Sequence, residues 1–219
     1  MTVKHILLLL KKEAIIESRN AHTFASIILF TLTTVFLVNK SFNQLGGMQW
    51  NGLVWIILLF ASTNSIFKSF TPEASKTKLY YYTIYHPLEV IISKLIYNYI
   101  FSLFIFGLTY VTFTFFFGNP IKDFTLFWTA SLVGIFGIST VFTFVAAITA
   151  SSDNGSVLIM SVLSLPLTLP FLLILIKTTA VAMRLIQDSS VGDDINTLIG
   201  LDLLFLGIVL ILFNELWKS

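Results

Sequence analysis

The chain has 219 residues, 56% hydrophobic and only 11% charged, with no cysteine and a formal net charge of +2. A water-soluble domain of this size presents a far more charged surface, so lipid must surround most of this one. Missing thiols exclude disulfides, thiolate chemistry, iron–sulfur ligation and covalent haem attachment through this chain. The small net charge offers nothing to nucleic acid. The apolar runs are continuous rather than alternating at period two, which points to helices and away from a β-barrel.

The chain opens on Val3, Ile6, Leu7, Leu10 and Ala14 at helical spacing, with Lys4, Lys11 and Lys12 on other faces. That pattern predicts an amphipathic helix over about 3–19, lying in the membrane interface. Its apolar core, Ile6 to Leu10, is too short for a signal-peptide h-region, and no small-residue cleavage site follows. Six later segments are apolar for the 17–25 residues that a crossing needs, give or take a few. They are 21–38, 51–67, 95–117, 124–150, 157–176 and 195–217. Trp50, Trp128 and Trp217 stand near span ends, where indoles prefer to lie. The chain reads as one all-α, polytopic membrane domain over 1–219.

The polar loop 68–94 is the only long interruption between spans. Pro72 and Glu73 open it, Lys76 and Lys78 follow, then Leu79, Tyr80, Tyr81 and Tyr82, and His86-Pro87 closes it. Proline suits a first helical turn and restrains the residue before it, so a short helix over about 72–84 is expected, with Glu89 and Lys94 starting the third span. Two readings fit. The tyrosines are a docking surface, offering large contact area at low entropic cost, or they lie at headgroup depth.

In the fourth span Ala130, Gly134 and Gly137, with Ser131 and Ser139, permit close helix approach. The fifth carries Pro166 and Pro170 within Leu165-Pro166-Leu167-Thr168-Leu169-Pro170. Each removes a backbone donor, so the helix is kinked, as a hinge or as a static packing feature. Asp202 is the one acid well inside a span, about 10 Å in from Ile195 at 1.5 Å per residue. It is either a functional intramembrane site or, with a later span start, a residue of the outer headgroup region.

Basic residues set the expected orientation. Lys4, Lys11, Lys12, Arg19, Lys68, Lys76, Lys78, Lys94 and Lys218 fall on one side, against Lys40, Lys122, Lys177 and Arg184 on the other. The positive-inside rule then puts both termini and the 68–94 loop in the cytoplasm. The chain has no P-loop, no H-E-x-x-H, no C-x-x-C and no nucleophile elbow. His5, His22 and His86 are too scattered to suggest a metal site. No enzyme activity is expected of this chain. No internal repeat is evident, which argues against an inverted-repeat transporter.

The amphipathic start, six spans, the polar second loop and the LPLTLP run from Leu165 to Pro170 resemble the CcmB family, the cytochrome c maturation permease subunits. The stretch from Glu73 to Lys94 is similar to that family's second loop, and Tyr80–Tyr82 resembles the form in Bacteroidetes members. The resemblance implies a multi-pass subunit of an ABC-type complex in the bacterial inner membrane. It implies a CcmA-like ATPase holding ATP and magnesium, CcmC-like and CcmD-like membrane subunits, and two copies of this chain. ATP hydrolysis there releases a haem-loaded CcmE-like chaperone. On this reading the 68–94 loop couples to the ATPase through Glu73, Lys76, Leu79, Tyr80, Tyr81, Tyr82, His86 and Pro87, with Pro166 and Pro170 as hinge. No outward-side histidine and no tryptophan-rich haem motif occurs, so no haem ligand is assigned to this chain. The rival class is a self-contained small-solute transporter or channel coupled through Asp202.

Overall fold

A computed structural model describes residues 3–19, 21–42, 44–68, 85–151 and 157–216. Among them every regular element is an α-helix: α1 (Val3–Arg19), α2 (Ala21–Ser41), α3 (Gly47–Lys68), α4 (Pro87–Phe117), α5 (Phe124–Ser151), α6 (Val157–Ala182) and α7 (Val191–Leu216). The last six are long and apolar enough to cross a membrane. This is an all-α polytopic architecture.

Local chemistry sets the helix ends. His86 is the N-cap of α4, its ring accepting from the Leu88 N–H, and Pro87 fills the first position, where its missing donor costs nothing. The chain therefore becomes helical eight residues before Leu95, where hydropathy alone starts the third span. At 31 residues, α4 is about 46 Å long, well beyond the hydrocarbon thickness. Gly118 ends it at φ 79°, a left-handed conformation that glycine adopts without strain. Asp123 caps α5, accepting the Leu126 N–H at 3.0 Å. α6 ends in a Schellman turn: Arg184 has φ 56°, its N–H bonds the Val181 carbonyl, and the Leu185 N–H bonds that of Ala180. The Lys122 and Asp123 amides both donate to the Ala182 carbonyl, tying the α4–α5 loop to the C-terminal end of α6 at one end of the bundle.

α5 lies at the centre, packed against α3, α4, α6 and α7. The most apolar stretches of α3 and α5 are 71% and 72% buried, those of α2 and α7 only 17%. α2 and α7 are thus the peripheral spans. The small residues of α5 behave as their type predicts: Ala130, Ser131 and Ser139 are buried. A Cβ at Gly134 would collide with Leu175 of α6, and one at Gly137 with Phe171 of α6 and Asp202 of α7. Trp50 departs from the interfacial expectation. It is 1% exposed, edge-on to Phe113 at 5.8 Å, within an aromatic cluster where Trp55 stacks on Phe106 and Phe106 on Phe127. The cause is the early start of α3 at Gly47, which carries Trp50 into the packed first turn.

Candidate functional site

At one end of the bundle, α1 packs on the first turns of α4. The stripe it turns toward α4 is His5, Leu9 and Glu13, spaced four apart, with Leu9 and Glu13 buried and His5 half-exposed, while Leu7, Leu8 and Ile15 are exposed. This differs from the face expected from Val3, Ile6, Leu7, Leu10 and Ala14. Charge decides the docking: His5 Nδ1 lies 3.1 Å from Glu89 Oε2, and Glu13 Oε1 lies 2.9 Å from Lys12 Nζ and 3.4 Å from Lys94 Nζ. Glu89 and Lys94 are 3% and 1% exposed, so each is a buried polar group that needs its partner on α1. His5 also meets Tyr85 edge-on at 5.6 Å. The point where the polar loop enters α4, at Tyr85-His86-Pro87, is thereby fastened to α1. Glu73, Lys76, Leu79, Tyr80, Tyr81 and Tyr82 lie outside the described residues.

The opposite end holds a second set of polar ties. Asn51 of α3 donates to the Ile176 carbonyl of α6 at 2.8 Å and accepts the Trp55 indole N–H at 3.0 Å. Lys177 pairs with Asp188 at 2.7 Å and Asp194 at 2.9 Å. Its ammonium, together with hydrogen bonds from Ser190, holds the Asp188 carboxyl well below the usual carboxylate range. Pro166 and Pro170 sit inside α6, which stays helical through both. The Thr168 hydroxyl donates to the Ser164 and Leu165 carbonyls, not to those of Val162 and Pro166 that the prolines leave without a helical donor.

Asp202 stands farther along its helix than an expected span start at Ile195 placed it, because the helix begins at Val191. It is the middle residue of the 23-residue span Val191–Phe213, about 16 Å from either end at 1.5 Å per residue. The residue is 6% exposed, and Oδ1 has no hydrogen-bond partner among the described residues. The carboxyl occupies the volume that a side chain at Gly137 would need. An acid at this depth costs about 2.5–3.5 kcal/mol on insertion scales. Beside it a shallow cavity of about 240 Å³ opens, lined by Tyr99, Leu132, Val133, Phe136, Ile199 and Asp202. Among the described residues no three His, Asp or Glu side chains converge to hold a metal.

The latch residues His5 and Glu13 escaped sequence reasoning, because pairs more than 80 positions apart leave no local signature. One signal for the start of α4 was present: His86-Pro87-Leu88-Glu89 has a capping residue, proline at the first position and an early acid.

Six helices long and apolar enough to cross a membrane, with a central helix that small residues let its neighbours approach, define a polytopic membrane protein. The model of the family described as CcmB protein matches residues 4–214. The chain belongs to the CcmB family, the ABC-type permease subunits of cytochrome c maturation and haem export. No curated protein and no solved structure matches it.

Proposed function

We propose that this chain is the permease subunit which a separate CcmA-like ATPase drives through the 68–94 loop. In this reading it lies in the bacterial inner membrane with both termini cytoplasmic, present as two copies beside CcmC-like and CcmD-like subunits. ATP and magnesium bind the ATPase, haem is the cargo of the complex, and the cycle releases a haem-loaded CcmE-like chaperone. The observation that carries the reading is the buried, ion-paired joint of α1 with the first turns of α4. A loop meant to receive force needs a stiff attachment to a span, and Tyr85-His86-Pro87 runs directly into that joint. Family membership supplies the ABC-type context, and the excess of basic residues at the α1 end supports the orientation.

Replacing Tyr80, Tyr81 and Tyr82 by alanine in the tagged chain tests the docking. The expected outcome is loss of the ATPase from the purified complex, with the yield of the membrane chain retained. Unchanged capture together with intact cytochrome c maturation would sink it.

A further inference from the structure

We infer that the cavity beside Asp202 is a lateral socket for a basic side chain carried at mid-depth by a transmembrane helix of another polypeptide. Three observations meet there. The carboxyl lies at the centre of a peripheral span with an oxygen that has no donor among the described residues. Tyr99, the other polar group of the cavity, gives its hydroxyl proton to the Leu132 carbonyl at 3.2 Å, so it supplies none to the acid. The rim is exposed and apolar, with Leu132 and Ile199 each 41% exposed, so the mouth opens on the side of the bundle.

At that depth only acyl chains or another helix can reach the mouth, and acyl chains carry no hydrogen-bond donor. Charge complementarity selects a lysine or arginine, whose long apolar stem fits the rim while its head meets the carboxylate. The flank of α7 suits such a neighbour: Ile199, Leu203 and Gly207 repeat every four residues on one face, Leu203 is 64% exposed and nothing stands near Gly207. A second copy of this chain is not the occupant. Its spans carry no Lys, Arg or His near their middles; Lys94 is held by Glu13, and Lys177 by Asp188 and Asp194.

The test uses the full chain, with a photo-crosslinking residue at Leu203, reconstituted in phosphatidylcholine vesicles. Synthetic Leu/Ala transmembrane peptides are added that differ only in a central lysine, leucine or glutamate. The lysine peptide should form adducts on the order of tenfold more efficiently than the leucine peptide, and the glutamate peptide least. Asp202→Asn should abolish the preference. Leu132→Trp, which fills the cavity but keeps the acid, should abolish it too, and decides alone if Asp202→Asn does not fold. Equal yields from lysine and leucine peptides, a preference that survives both variants, or adducts only with lipid or a second copy of the chain would each overturn the socket. No ATPase takes part, so failure of the loop-docking proposal leaves this result unaffected.

Discussion

Gly137 is where three helices claim one volume. With no side chain it lets the Phe171 ring and the Asp202 carboxyl lie against α5, and any Cβ there displaces both. Gly137→Ala should therefore lower stability by about 1–3 kcal/mol through overpacking, read as an earlier midpoint in detergent unfolding. Asp188 belongs to the same scale. Its carboxyl is held low by Lys177 and Ser190, so it contributes stability that is fully present above the unfolded carboxylate value of about 4 and is lost as pH falls through the lower folded value. The thermal midpoint should be flat from neutrality to about pH 5 and decline below about pH 4. Asp188→Asn should flatten the part of that decline that belongs to this pair.

At the scale of elements, α1 is defined by its joint with α4 more than by its apolar face. Glu13→Leu should cost about 3 kcal/mol, because it takes the carboxylate away from the buried Lys94 ammonium. The double replacement Glu13→Leu with Lys94→Met should cost less, which a double-mutant cycle in chemical unfolding measures. Hydropathy made six spans legible, since hydrocarbon demands long apolar runs whatever the fold. It could not show that Glu89 and Lys94 are buried, because their burial depends on His5 and Glu13 from a distant segment. The depth of Asp202 was hidden for a related reason. Asp193 and Asp194 precede the expected span start at Ile195, yet they form the acidic first turn of α7. In α6, converting both Pro166 and Pro170 to alanine should restore two backbone hydrogen bonds and raise stability. If the pair is a hinge, cytochrome c maturation falls severalfold in the same variant; full activity would remove that role.

For the whole molecule, the two ends differ in chemistry. One gathers Lys4, Lys11, Lys12 and Lys94 around α1, while the other closes with the α4–α5 loop tied to the end of α6 at Ala182. The native absence of cysteine makes the expected topology directly measurable. A cysteine at Ser189 should react with an impermeant maleimide in spheroplasts, and one at Ser75 only after the membrane is opened. The reverse pattern would refute the proposed orientation.

The length of α4 also makes it a lever. Its far half is wedged, through Phe106 and Phe113, among Trp50, Phe127 and Trp128, while its near end carries the joint with α1. A rod about 46 Å long that pivots by about 10° at the aromatic end sweeps its other end through about 8 Å. In the proposed cycle, a displacement of angstroms at the polar loop would therefore correspond to only a few degrees of tilt of α4, gearing large movements at the surface to small ones near the aromatic end.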